Sequence, residues 1–311
     1  MIAISDADTG HVVSVLHQLP WDGMEPTGLS VDGAGQLWIT LSAGPRCSSD
    51  VNGCGPLPGT CRSEILVANP ATGAVRTVLQ GGNNELISDA VPSSDGRLVA
   101  FLHSGCANYF FTDDLVVRNM SSGHQTVIGA DLPPCHVLAQ PHWSTDGASL
   151  AVVYGPASTA PSSGAGHGFC STPQPSSLVL VSASASQPTI TGRTAPADPE
   201  CDTQIGVPTA NGYVAIEHCG SAPSFIDGTV AMVSYDDNLR PVARTPLGPC
   251  EDGASLAVDR AGQDVLVSTY QYCNPPGTTQ PRTVVTRIED GNIAAVDTQV
   301  GDELMVDQLA W

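Results

Sequence analysis

Tight-turn dipeptides recur along this chain at a near-constant spacing, and that recurrence limits the fold more than any other feature. They are Asp32-Gly33, Asp95-Gly96, Asp146-Gly147, Asn211-Gly212 and a degraded Ala261-Gly262, about 50 to 65 residues apart. Such pairs accept positive φ and close hairpins. A second series lies between them: Thr9-Gly10, Thr72-Gly73, Ser122-Gly123, Asp237-Asn238 and Asp290-Gly291, blurred near 182–186 in the fourth unit. Apolar segments of strand length fill the intervals. Each unit therefore reads as four strands, a to d. In the third unit they are expected at 86–91, 97–103, 114–119 and 124–129.

No stretch keeps a helical period over three turns, and 32 Gly with 25 Pro suit many short strands and turns. The expected fold is all-β: a six-bladed β-propeller of four-stranded antiparallel blades. The chain opens on a c strand (2–6) and a d strand (11–16), and Trp311 ends a segment placed like the a strand that ends at Trp143. The ring is thus expected to close by N-terminal c and d strands joined to a C-terminal a strand. The blades would be 1–20 with 303–311, 21–82, 83–131, 132–195, 196–247 and 248–302. The closing blade lacks a b strand, so either it has three strands or the fourth precedes Met1 in the native gene product.

PHWSTDGASLAVVY (141–154), AVPSSDGRLVAFLH and GLSVDGAGQLWITL resemble the TolB-type propeller repeat, whose core is a small-aromatic-Ser-x-Asp-Gly turn followed by an apolar strand. The resemblance implies the fold, and binding, docking or sensing more often than catalysis. The fifth and sixth units, GVPTANGYVAIEH and LAVDRAGQDVLVS, depart from it.

All ten cysteines map to one face, in or beside b–c loops and d–a links. No Cys-x-x-Cys pair occurs, so disulfides are expected rather than zinc. Cys201 and Cys219 sit symmetrically about the fifth a–b turn, Cys250 and Cys273 about the sixth, and Cys135 and Cys170 bracket the fourth. These should form three bridges. Cys47, Cys54, Cys61 and Cys106 make two more, with three connectivities open. Disulfides imply an oxidising compartment. No basic n-region, apolar h-region or transmembrane segment is present. The chain therefore reads as the mature or excised extracytoplasmic portion of an exported protein. Its lack of Lys suggests a GC-rich, actinobacteria-like genome.

With 31 acidic against 11 basic residues, the net charge is −20. Phosphate backbones are repelled, which excludes nucleic acid as a partner and disfavours anionic membrane surfaces. Cations and basic partners are favoured, and the chain is expected to be a monomer that does not insert into membranes.

Six residues fall where the inner strand of each blade begins on the cysteine face: Glu25, Glu85, His136, Asp202, Glu251 (with Asp252) and Glu303. Converging carboxylates at a channel mouth can supply the six to eight oxygens that Ca²⁺ takes. They can equally be solvated loop residues. His103, His136, His167 and His218 lie on the same face but at no ligand spacing. No nucleophile elbow, phosphate loop or zinc-protease motif occurs, and no catalytic residue is assigned. Two functions remain. One is a non-catalytic binding or sensor module that meets a protein or small ligand at the loop face. The other is a Ca²⁺-dependent hydrolase of the lactonase-like propeller type. Peptide mapping of the unreduced protein should recover peptides joined through Cys201–Cys219, Cys250–Cys273 and Cys135–Cys170. Free thiols at these positions would reject the hairpin rule.

Overall fold

A computed structural model describes residues 2–5, 12–17, 24–43, 61–82, 85–105, 114–128, 136–144, 146–158, 171–173, 176–182, 189–194, 201–219, 229–249, 251–259, 262–271, 282–289 and 292–296. All elements among them are strands. Among the described residues no helix is long and apolar enough to cross a membrane. The first sheet has two strands, β1 (Ile2–Ser5) and β2 (Val12–His17). The next is β3 (Glu25–Val31), β4 (Leu37–Ala43), β5 (Arg62–Ala68) and β6 (Val75–Gln80), followed by β7 (Glu85–Pro92), β8 (Leu98–Gly105), β9 (Asp114–Asn119) and β10 (Gln125–Ile128). The fourth blade holds β11 (His136–Trp143), β12 (Ser149–Ser158), β14 (Ser177–Ser182) and β15 (Thr189–Arg193), with short β13 (Ser171–Pro173) paired to the end of β12. The fifth is β16 (Cys201–Thr209), β17 (Gly212–Cys219), β18 (Thr229–Tyr235) and β19 (Pro241–Pro249). The sixth is β20 (Glu251–Val258), β21 (Val265–Gln271), β22 (Arg282–Glu289) and β23 (Asn292–Val296). Five sheets thus run a-b-c-d through antiparallel neighbours, as expected. The C-terminal a strand expected at 303–311 lies outside the described residues.

The blades stack face to face, and this explains their sequences. In β8, Val99 and Phe101 pack with Trp38, Ile65 and Val67 of the preceding blade. Ala100 and Leu102 pack with Leu138, Leu150 and Val152 of the following one. Successive side chains point to opposite faces, and both faces are covered, so b strands read as continuous apolar runs rather than alternating ones. Ile205, Val207, Val214 and Ile216 meet Leu256, Val265 and Val267 in the same manner. The outermost strands are different: in β6 only Val78 and Leu79 are even partly covered.

Polar contacts fix neighbouring blades at set points. Ser30 Oγ donates to the Ala90 carbonyl (2.9 Å), and the Ala90 N–H donates to Thr40 Oγ1 (3.0 Å). Trp143 Nε1 donates to the Val91 carbonyl (3.0 Å). Gly33 N donates to the Ser94 carbonyl at 3.0 Å, and a Cβ at Gly33 would come within 2.2 Å of that oxygen. The inner strands also share a bulge. Register breaks fall between Pro26 and Gly28, Ser88 and Val91, Ala139 and His142, Thr203 and Ile205, and Gly253 and Ser255.

The a–b turn has a different internal alignment from the one the Asp-Gly dipeptides suggest. In the third blade the Ser93 N–H donates to the Leu98 carbonyl and Gly96 N to the Ser93 carbonyl. Ser93 Oγ donates to Asp95 Oδ1 (2.7 Å) and accepts from Leu98 N (3.0 Å). Ser144, Asp146, Gly147 and Ser149 repeat each bond in the fourth blade. In the second and sixth blades, Asp32 and Asp259 stand where those serines stand. Each carboxylate takes two backbone N–H groups, from Ala34 and Gln36 or from Gln263 and Asp264. The residues three positions on, Gly35, Gly96, Gly147 and Gly262, have φ of 66 to 75°. Asp32 therefore corresponds to Ser93, not to Asp95, and Gly33 is small because the next blade lies against it. The c–d turns have their own box: Asn69 and Asn119 Oδ1 each accept two backbone N–H groups, from residues two and three positions on.

The Ser hydroxyl, and then a backbone N–H, hold the Asp95 and Asp146 carboxyls below the usual carboxylate range. A depressed folded pKa contributes stability above the unfolded value of about 3.9. That stability is lost as pH falls through the folded value. Ser93→Ala and Ser144→Ala should each cost about 1 kcal/mol, additively, because the turns lie in separate blades. They should also return the Asp95 and Asp146 titrations to the ordinary range, as read by NMR of the carboxyl carbons. Unchanged titrations would show that the box does not set them.

Candidate functional site

The inner strands begin on the loop face, where three of the expected mouth residues are described. Glu25 opens β3 opposite Ser42 and is exposed. Glu85 opens β7; its Oε2 accepts from Gly82 N (2.8 Å), and its Oε1 lies 3.8 Å from His103 Nε2. Asp202 lies opposite His218 in β16–β17, and its Oδ1 accepts from Ser176 N of the neighbouring blade (2.9 Å). Two of the three carboxylates thus anchor backbone at blade edges through one oxygen each. His136 and Glu251 lie in the first positions of β11 and β20; their side chains, and all of Glu303, are outside the described residues. So is His167, while His218 is buried.

Cys201 and Cys219 are directly opposed and form a disulfide with Cα atoms 4.0 Å apart. This is the geometry expected from the symmetric spacing about the turn. Cys61 is also disulfide-bonded and is 2% exposed. Cys47, Cys54, Cys106, Cys135, Cys170, Cys250 and Cys273 lie outside the described residues.

Beside the Cys201–Cys219 bridge is a buried polar cluster absent from the sequence reading. Glu217 interrupts the apolar run of β17 and is 0% exposed. Its Oε2 accepts from Arg244 Nη1 (3.0 Å), and its Oε1 accepts from the Tyr235 hydroxyl. Arg244 Nη2 also reaches Cys219 Sγ (2.7 Å) and lies 3.8 Å from Cys201 Sγ. Burial, then the bond to Glu217, pushes the Tyr235 phenol up. Thr203, opposite Glu217 in register, is 1% exposed, and among the described residues its hydroxyl has no hydrogen-bond partner. Tyr235 packs with Tyr213, which in turn packs with Ala151 and Leu178, so this face of the fifth blade is turned to the fourth. Among the described residues, only Cys201, Glu217 and Cys219 bring three potential metal-ligating atoms within 4.8 Å of one another. Two of those atoms are bonded to each other as a disulfide, and the metal-binding form of cysteine is the thiolate. The cluster is therefore a structural ion pair.

At the other end of the axis, the a strands of five blades line a cavity of about 240 Å³. Leu29, Val91, Val207, Leu256, His142 and Trp143 contribute to its wall. A smaller space of about 40 Å³ lies at the level of the bulges and shares Leu29, Val91, His142 and Leu256 with it. Desolvation pushes the His142 imidazole down to about 4, so it is neutral at physiological pH. Asp89 and Gln140, at the bulges, have φ of 50° and 46°.

The sequence matches no protein-family model and no curated protein. Solved structures do match the fold. A TolB-type protein from Agrobacterium tumefaciens superposes with a TM-score of 0.53 at 12% identity, covering 91% of this chain and 83% of that one. The β-propeller domain of the Trilobed protease from Pyrococcus furiosus gives 0.50 at 10% identity, over 89% of this chain and 72% of that one. Prolyl oligopeptidase B from Galerina marginata gives 0.51 at 13% identity, over 91% of this chain, which spans only 36% of that enzyme.

Removing Glu217 leaves Arg244 and Tyr235 without their shared acceptor. Glu217→Ala should cost about 2 kcal/mol in chemical denaturation and lower the Tyr235 phenol titration. A variant as stable as the parent would show that the pair contributes nothing net. Stacked four-stranded sheets around a common cavity, and the superposition on these structures, make the chain a β-propeller.

Proposed function

We propose that the chain is an extracytoplasmic, non-catalytic binding module whose partner meets the loop face. The observation that carries this reading is the Cys201–Cys219 bridge. It clamps the open end of a hairpin where β17 leaves for its long connection to β18. A covalent staple there holds the base of a recognition loop rigid, and such a bond persists in oxidising compartments. The long connections at 44–60, 106–113, 159–170, 220–228 and 272–281 all leave the sheets on this side. A net charge of −20 favours a basic partner surface and accelerates its approach at low salt. The expected ring has six blades, closed by strands from both ends of the chain.

A Ca²⁺-dependent hydrolase is the second reading, favoured by the carboxylates of Glu25, Glu85 and Asp202 at the starts of three inner strands. Photo-crosslinking in the exporting host separates the two. A photoreactive residue at Glu25 or Glu85 should yield the same adduct, and one at Thr72, on the turn face, should yield none. Equal labelling of both faces would overturn the binding reading. So would Ca²⁺-dependent lactone hydrolysis that Glu85→Gln abolishes.

A further inference from the structure

We propose that the turn-face end of the axial channel is a second binding site, for a small uncharged alcohol or phenol, with His142 as its hydrogen-bonding anchor. The site lies at the opposite end of the ring from the loop face and does not depend on what binds there. The a–b turns align the blades residue by residue. Two positions before the first turn residue stand Ser30, Val91, His142, Val207 and Ala257, and all five line the larger cavity. Three are aliphatic, and Ser30 spends its hydroxyl on the Ala90 carbonyl. His142 alone brings a ring with one donor and one acceptor to this level. Among the described residues its imidazole has no hydrogen-bond partner, although the polar groups around it do. Asp32 gives one oxygen to two backbone N–H groups and the other to Trp38 Nε1 (3.1 Å), and Trp143 Nε1 is taken by the Val91 carbonyl.

An aliphatic side chain fills this position in three other blades, whereas His142 is half-buried on the cavity wall, within reach of a bound group. The unspent donor and acceptor point to a ligand group that is itself both, which a hydroxyl is. The walls favour an apolar body, and the volume suits one ring or a short chain. Asp32 and Asp259 line the same end, and their charge rejects anions.

The test uses p-cresol as the probe, by calorimetry on the full chain. It should bind with a dissociation constant below about 1 mM. His142→Leu should weaken it about fivefold to tenfold, the worth of one hydrogen bond. Toluene should bind the variant at least as well as the parent, and 4-methylbenzoate should bind neither. His142→Gln, which keeps a donor and an acceptor, should recover most of the lost affinity. Should His142→Leu fail to fold, the imidazole ¹⁵N signals of His142 in the parent serve instead and should shift on adding p-cresol. Absent p-cresol binding, equal binding by parent and His142→Leu, binding of 4-methylbenzoate comparable to p-cresol, or unmoved ¹⁵N signals would overturn the proposal.

Discussion

Everything in this molecule depends on the packing of one sheet against the next. A twisted four-stranded sheet with two apolar faces cannot stand alone in water. Here each described blade from the second to the sixth finds a neighbour along the chain. Phe101 of the third blade reaches back to Trp38, and Leu102 reaches forward to Leu150. Polar pins at Ser30, Gly33 and Trp143 then set the spacing and angle between sheets. The axial cavity is a by-product of that angle: inner strands fan around a line that none of them fills.

Strand positions were legible because turn chemistry and apolar runs agree through most of the described blades. In the third blade the strand expected at 114–119 coincides with β9, and those expected at 86–91, 97–103 and 124–129 overlap β7, β8 and β10. The Cys201–Cys219 pair was legible for a related reason. A hairpin fixes register, and equal distances from its turn put two residues opposite each other. The turn alignment was not legible. An Asp-Gly pair looks alike whether its Asp opens the turn, as Asp32 does, or sits inside it, as Asp95 does. Only the hydrogen bonds distinguish the two.

The interior chemistry was also hidden. Glu217 reads as an ordinary acid near a strand end, and its partners Tyr235 and Arg244 are 18 and 27 residues away on other strands. The signal available was a carboxylate inside the apolar run VAIEH of a strand buried on both faces. His142 sits in PHWSTDG, where the Ser-x-Asp-Gly turn draws attention to its C-terminal side. What marks the residue is comparison down the blades, which needs the alignment that the bonds supply. The mouth acids were found because each falls where the inner strand of its blade is expected to begin. Position alone does not tell that Glu85 and Asp202 each hold a neighbouring backbone N–H.

The direct opposition of Cys201 and Cys219 bears on how the chain acquires its bridges. Ten cysteines admit on the order of a thousand pairings, and random oxidation would trap wrong ones. Yet this pair is separated by only 18 residues and lies in a hairpin whose turn and register are locally encoded. The two thiols meet as soon as β16 and β17 zip together, before distant cysteines have a fixed place. Here oxidative pairing is a consequence of hairpin formation, and the sheet acts as the template for its own cross-link.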